Sequence, residues 1–332
     1  MNHAEISIII QGGYFEGITE EVMASARKYF PAATLIFSTT DKRAGNMRFA
    51  VDELIISPEP EVFSYPELAG EKDNNVNRQI VSTFAGLQKA KTKYALKLRS
   101  DFRLTGADFL QYFEKFPASE KDYQVFSHKI LACCYFSRNP LSELSFPFHP
   151  SDLAFFGLTE DLLKLFDIDL MSKTQAYYNK NAKHWNQYFP EQYIFINCLR
   201  KSGFAADCEF YDDANEKAIL QTERYFASNF IFLDFEQFNL KPAKDTFSLK
   251  KYPRNFASCY THNEWLALYK KYADSKIVLP TKDEAREFLK HSEKRYKKLR
   301  RIANILALIY FFNKQKRKKL RKKLLDFFLL HT

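Results

Sequence analysis

Glycine is scarce in this 332-residue chain, at nine residues, while apolar residues make up 46% of it. That combination excludes widespread disorder and leaves enough apolar mass for a well-packed core. Cysteine occurs at Cys133, Cys134, Cys198, Cys208 and Cys259, with no CxxC pair and no histidine at zinc-ligand spacing. An odd count without a framework excludes a disulfide scaffold and suits a reducing compartment. The opening MNHAEISIII has no basic segment followed by a long apolar one, so no secretory signal is expected. The longest apolar run near the end, residues 302–312, is 11 residues long, contains Asn304, and is too short to span a bilayer. A cytoplasmic protein, attached peripherally to the inner face of a membrane, is the expectation.

The net charge of +10 becomes informative once it is located. Residues 282–332 hold 17 Lys and Arg against five Asp and Glu, a net of +12, which leaves residues 1–281 near −2. The expected division is therefore a near-neutral body, 1–281, and a basic tail, 282–332. That argues against a nucleic-acid enzyme whose whole groove is basic, and no nucleic-acid partner is expected; a nucleic-acid binder working through the tail is the weaker alternative.

Residues 5–10 (EISIII) read as a buried strand, closed by Gln11-Gly12-Gly13. Thr19 is the expected N-cap of a helix ending at about Phe30, before Pro31. Residues 33–38 and 53–56 read as strands, and the acid- and proline-rich 57–73 as loop. Val76, Ile80, Phe84 and Leu87 give 74–91 helical spacing, and Tyr94 to Leu98 form a short strand ending at Arg99-Ser100-Asp101. Helices are expected at 107–116, 159–166 and 190–201, and a tail helix capped by Thr281. Alternation of this kind predicts α/β architecture, a mostly parallel sheet with helices on both faces and ligands at the strands' carboxyl ends.

Four polar clusters could carry chemistry. In Lys97-Leu98-Arg99-Ser100-Asp101 a carboxylate at a strand end can hold a metal that bridges a diphosphate, and Arg99 can offset the same charge. An ordinary Arg-Asp surface pair fits the same residues. Asn74-Asn75-Val76-Asn77-Arg78-Gln79 opens a helix whose exposed amides favour an anion, though plain capping would also use Asn. His149-Pro150-Ser151-Asp152 runs into an apolar strand, which puts Ser151 and Asp152 at a strand mouth, or merely in a turn. Pro190-Glu191-Gln192-Tyr193 is a standard helix opening that could also aim Glu191 into a crevice as a general base.

In this order the clusters resemble the WavE family of lipopolysaccharide-synthesis proteins, through ISIIIQGGYFEGITEEV, NNVNRQIVSTFAGL, YALKLRSDFRL, HPSDLAFFG and PEQY, over roughly residues 5–200. The resemblance implies a GT-A-like, Rossmann-like fold and a nucleotide-sugar-dependent glycosyltransferase of hexosyl type. It would act on a bacterial surface glycan or glycolipid of lipopolysaccharide or capsule. It places Asp101 with Arg99 at the metal and diphosphate; the clusters themselves add Gln11, Gly12, Asn75, Asn77, Arg78 and Ser100 as donor-nucleotide candidates, and His149 and Ser151 as acceptor candidates. Asp152 and Glu191 become the catalytic carboxyls, and Asp101 the ligand of a Mn2+ or Mg2+ ion. Where many GT-A enzymes carry two aspartates separated by one residue, this chain has Arg99-Ser100-Asp101. One carboxylate is a poorer metal site, and Arg99 can replace an ion's charge.

In the tail, Leu299, Ile302, Ile305, Leu306, Ile309 and Phe312 recur at helical spacing between basic clusters. Leu324, Leu325 and residues 327–330 add apolar surface. Basic amphipathic helices over 290–330 are expected to lie on an anionic membrane, each Lys or Arg contributing about 1 kcal/mol. A helix packed on its own domain and an oligomerising pair use the same pattern. A non-catalytic membrane-surface scaffold is the alternative for the whole protein.

Overall fold

The computed structural model describes residues 1–67, 70–179, 184–244, 253–310 and 314–331. The chain opens with β1 (Ile6–Gln11), α1 (Ile18–Tyr29), β2 (Thr34–Thr39) and β3 (Glu53–Ile56). A hairpin of β4 (Phe63–Glu67) and β5 (Gly70–Asn74) leads into α2 (Val76–Lys89), β6 (Tyr94–Arg99) and the short β7 (Phe102–Leu104). There follow β8 (Ile130–Cys133), β9 (Ala154–Leu158), α3 (Thr159–Phe166), α4 (Lys173–Ala176), α5 (Pro190–Lys201) and α6 (Glu216–Asn229). After these come β10 (Phe230–Leu233), β11 (Leu240–Pro242), α7 (Pro253–Ala257) and α8 (His262–Tyr272), then the C-terminal pair α9 (Glu284–Tyr310) and α10 (Lys314–His331).

Seven strands form one sheet in the order β10-β8-β9-β6-β1-β2-β3. All neighbours run parallel except β9, which is antiparallel to both β6 and β8. All six residues of β1 are buried, as a parallel strand covered on both faces requires. The fold is mixed α/β and Rossmann-like, a mostly parallel central sheet flanked by helices. After β3 the chain returns across the sheet to place β6 on the other side of β1. That reversal opens a crevice beyond the carboxyl ends of β1 and β6. β11 pairs with β7, and the Ala243 N–H bonds the Asp101 carbonyl at 2.9 Å, so a late segment is pinned beside the end of β6.

Several local expectations change. Gly17 caps α1 and Thr19 sits inside its first turn, where its Oγ1 accepts the Phe15 N–H at 3.0 Å. Gly17 can take the φ of 73° that this entry needs, which a β-branched threonine resists. The tail helix starts at Glu284 and is capped by Asp283, not Thr281: Asp283 Oδ1 accepts the Arg286 N–H at 2.8 Å. Residues 57–73 are not all loop, because β4 and β5 pair across them. The helix expected at 107–116 is a 3-10 turn, Asp108–Tyr112, shaped around buried Phe109, whose ring stacks on Phe238 at 4.9 Å.

The start of α9 is tied to the body: Arg286 donates to the carbonyls of Ala257 and Cys259 at 2.6 Å each, and pairs with Glu264. α10 folds back along α9, where Arg321 Nη1 donates to Asn304 Oδ1 at 3.5 Å, and Ala303 and Ala307 are buried. Ile302, Ile305 and Leu308 remain exposed. Phe312 and the side chain of Ile309 lie outside the described residues. No helix among the described residues is long and apolar enough to cross a membrane.

α2 lies close on the sheet at Gly86, where an added Cβ would stand 2.5 Å from Ile9 Cγ2 and 3.1 Å from Ser38 Cβ. Alanine would gain about 1 kcal/mol of helix propensity, but overpacking of this kind costs roughly 1–3 kcal/mol. The clash wins, because Ile9 belongs to a strand that cannot retreat. Gly86→Ala is expected to lower stability by about 1 kcal/mol or more, read as a lower urea midpoint at unchanged slope.

Candidate functional site

β1 and β6 pair with Gln11 beside Arg99, and β6 and β9 pair with Leu98 beside Ala154. Because β9 is antiparallel, the segment entering it lies at the same sheet edge where β1 and β6 end. A cleft of about 840 Å³ opens there, within the usual range for small-ligand sites. Gln11, Gly12, Asn75, Arg78, Arg99, Ser100, Asp101, Asp152 and Glu191 all line it. Five segments far apart in sequence therefore meet at the carboxyl ends of β1 and β6.

The walls are held by short contacts. Gln11 Nε2 donates to Ser82 Oγ at 3.0 Å, and Ser100 Oγ donates to the Gly13 carbonyl at 2.8 Å. Gly12 has a φ of 140°, and a Cβ there would sit 2.4 Å from Ser100 Oγ. Glycine is therefore needed at position 12 for both its conformation and its lack of a side chain.

The electrostatics centre on Asp152, which is buried. Lys97, wholly buried in β6, donates from Nζ to the Asp152 carbonyl. Gln79 Nε2 donates to Asp152 Oδ2 at 2.7 Å, and Arg99 Nη1 stands 3.9 Å from Oδ1. Oδ1 itself is buried with no hydrogen-bond partner among the described residues. Burial alone would raise the Asp152 carboxyl, but Lys97, Arg99 and the Gln79 hydrogen bond outweigh it and hold the group below the ordinary range. Burial lowers Lys97 to about 8, with Asp152 resisting that fall. Arg99 keeps its charge well above the usual range, since Asp101 and Asp152 more than offset its burial.

Glu191 sits in the first turn of α5, behind Pro190. A helix N-terminus favours a carboxylate, yet burial and the nearby charge of Asp152 win and push the Glu191 carboxyl well up. Its Oε2 is 3.5 Å from His149 Nε2. Burial, reinforced by the Arg138 cation, pushes His149 down to about 3, so the ring is neutral. His149 Nδ1 lies 2.9 Å from the Phe136 carbonyl. A carbonyl only accepts, which assigns the ring proton to Nδ1 and leaves Nε2 as a lone pair facing Glu191.

Three expected site residues do not line the cleft. Asn77 is buried and ties the loops at 61 and 171 to α2: Nδ2 donates to the Glu61 and Met171 carbonyls, and Oδ1 accepts the Met171 N–H. Ser151 is wholly buried, its N–H donating to Ser137 Oγ at 2.9 Å in the turn before β9. His149 stands behind Glu191 and is buried. Arg78 reaches the cleft but is engaged by Glu59 at 2.6 Å and Asp73 at 2.8 Å. In the other direction, Gln79 joins the site one residue beyond Arg78. Lys97 was marked by being a lysine amid apolar strand residues. Lys244, with Nζ 3.8 Å from Asp101 Oδ2, had no local sequence signal.

A metal at Asp101 does not suit this donor set. Arg99 Nε and Nη2 donate to Asp101 Oδ1 and Oδ2 at 3.1 and 3.0 Å, a fork that takes both oxygens. Among the described residues no group of three His, Cys, Asp or Glu could hold a metal ion.

Gly12→Ala is expected to cost roughly 1–3 kcal/mol for a side chain at this φ and to displace Ser100 beside Asp101. A thermal melt together with ligand titration of the variant would show both effects, and an unchanged melt would refute the close contact.

No curated protein matches this sequence. The family model for WavE lipopolysaccharide synthesis does match, over residues 6–302, a span that runs from the first residue of β1 into α9 and includes every residue of the cleft described above; the chain belongs to the WavE lipopolysaccharide-synthesis family.

Proposed function

We propose that the protein is a glycosyltransferase that moves a sugar from a nucleotide-sugar donor to a hydroxyl of a lipopolysaccharide or capsule glycan. The observation that carries this reading is a pair of carboxyls in one cleft, Asp152 buried and Glu191 mostly shielded, whose environments drive them apart. Asp152 is held ionised by Lys97, Arg99 and Gln79, while Glu191 is pushed up by burial and Asp152. Such a split assigns one group to charge and orientation and the other to proton transfer. The acceptor oxygen attacks the anomeric carbon, the bond from that carbon to the diphosphate oxygen breaks, and the nucleoside diphosphate leaves with the electron pair. Ionised Glu191 takes the acceptor's proton, and a base whose pKa lies near the working pH does this well. His149 Nε2, 3.5 Å from Glu191 Oε2, stays neutral and can accept a hydrogen bond from the protonated carboxyl. Asp152 Oδ1, buried and lacking a donor among the described residues, is suited to a sugar hydroxyl. Arg99 stands where the departing diphosphate gains charge.

Glu191→Gln is expected to lower the transfer rate by about a hundredfold or more with the fold intact. Activity should rise with pH through a value above the ordinary carboxylate range, because Glu191 acts as the base only when ionised. Asp152→Asn removes the neighbouring negative charge, so the rising limb of the residual activity should move to lower pH. A limb that stays in place would take Glu191 out of the base role.

We further propose that α9 and α10 hold the enzyme on an anionic membrane surface. In support, the outward face of α9 carries a groove lined by Lys294, Lys297, Lys298, Arg301, Ile302 and Ile305, with exposed Leu308 beyond it. Cations beside exposed isoleucines suit lipid phosphates above and acyl chains below. Changing Lys294, Lys298 and Arg301 to Glu should abolish sedimentation with phosphatidylglycerol vesicles, at about 1 kcal/mol per charge removed. Cosedimentation equal to the parent protein's would refute membrane docking through this face.

A further inference from the structure

We infer that Arg99 and Lys244 together, and not a divalent cation, take the charge of the departing diphosphate; the inference rests on the glycosyl-transfer reading above. Asp101 is the carboxylate at the end of β6, where a bridging metal would need a ligand, and it is buried. Both of its oxygens accept from the Arg99 guanidinium, at 3.1 and 3.0 Å. Lys244 Nζ stands 3.8 Å from Oδ2. The placement of Lys244 is built into the fold, because the Ala243 N–H bonds the Asp101 carbonyl and β11 is paired to β7.

The charges favour an anion at this point. Arg99, which lines the cleft, stands between Asp101 and Asp152, and Lys244 stands behind it against Asp101; with Lys97, three cations meet these two carboxylates, so the end of β6 carries a net positive charge. A divalent ion bound to Asp101 would have to displace a bidentate guanidinium and then stand beside it, like charge against like charge in a buried setting. A diphosphate has the opposite requirement: its oxygens accept from guanidinium and ammonium groups, and its charge completes the balance. Gly12 brings the backbone after β1 against Ser100, so the same corner of the cleft is narrow and glycine-lined. Arginine and lysine thus do here what a metal does elsewhere, stabilising the leaving oxygen as it gains charge.

The experiment is calorimetric binding of UDP, GDP, CDP and ADP to the full chain, each in EDTA and again with manganese. One or more should bind in EDTA with an affinity that manganese changes by no more than about twofold. The electron-spin signal of free Mn2+ in the presence of protein and the bound diphosphate should match that of the diphosphate alone. The double variant Arg99→Met, Asp101→Asn keeps the charge balance of the buried pair and should weaken binding about ten- to a hundredfold, the range of a lost charge-assisted hydrogen bond. Lys244→Met should weaken it about tenfold. If the double variant does not fold, Arg99→Lys, which keeps the charge and loses the fork, should still weaken binding measurably. Binding that appears only with manganese, or that is indifferent to both Arg99 and Lys244, overturns the metal-free subsite and leaves glycosyl transfer standing. Binding of no diphosphate under either condition overturns the donor reading itself.

Discussion

Lys97 lies wholly out of solvent in β6, an ammonium between Leu96 and Leu98, and its Nζ reaches across to the Asp152 carbonyl. A buried charge is tolerated only when it is paired and hydrogen-bonded. That requirement fixes the segment entering β9 against β6 and brings the Asp152 carboxylate to the sheet edge. The antiparallel course of β9 makes this possible, since its amino end lies where the parallel strands finish. Without Lys97 the segment entering β9 would lose its tie to β6, and Asp152 a cation that helps hold it ionised.

From Lys97 the charges alternate along one row, Lys97, Asp152, Arg99, Asp101, Lys244, whose middle three members line the cleft. Each is steadied by its neighbours, and the pKa directions follow from that order. Asp152 stays ionised between two cations, and Arg99 stays charged between two anions. Glu191 enters from α5 at the edge of the row, meets the negative charge of Asp152 in a dry setting, and is driven the other way. The arrangement separates roles among acidic groups that are chemically alike. Asp101 is spent on holding Arg99, Asp152 on charge and orientation, and Glu191 remains to exchange a proton.

The C-terminal helices divide their apolar residues between two jobs. Ala303 and Ala307 are buried, while Ile302, Ile305 and Leu308 are exposed, the two isoleucines beside lysines and an arginine. Both the self-packing and the surface-binding readings of the tail pattern therefore have residues to support them. The basic charge of the tail stays on this appendage, apart from the cleft, where three cations flank Asp101 and Asp152.

What the sequence determined by itself was the order of elements and the neighbourhood of the site. Buried β-branched runs such as Ile8 to Ile10, and the 3.6-residue spacing of Val76, Ile80 and Leu87, are local properties that survive without tertiary context. The family motifs around Asn75, Asp101, Asp152 and Glu191 were legible for the same reason, and the family match bears out the recognition. Tertiary structure alone decided which polar side chain in each motif faces the cleft. Asn75 lines it and Asn77 is buried; Asp152 lines it and Ser151 is buried. Those choices turn on rotations of one or two residues, set by how α2 packs and how β9 registers on β6. Nor could local sequence show that Lys244 would reach Asp101, because only the pairing of β11 with β7 brings them together. A side chain's chemistry belongs to its own residue, but its direction and its neighbours belong to the packing of the whole chain.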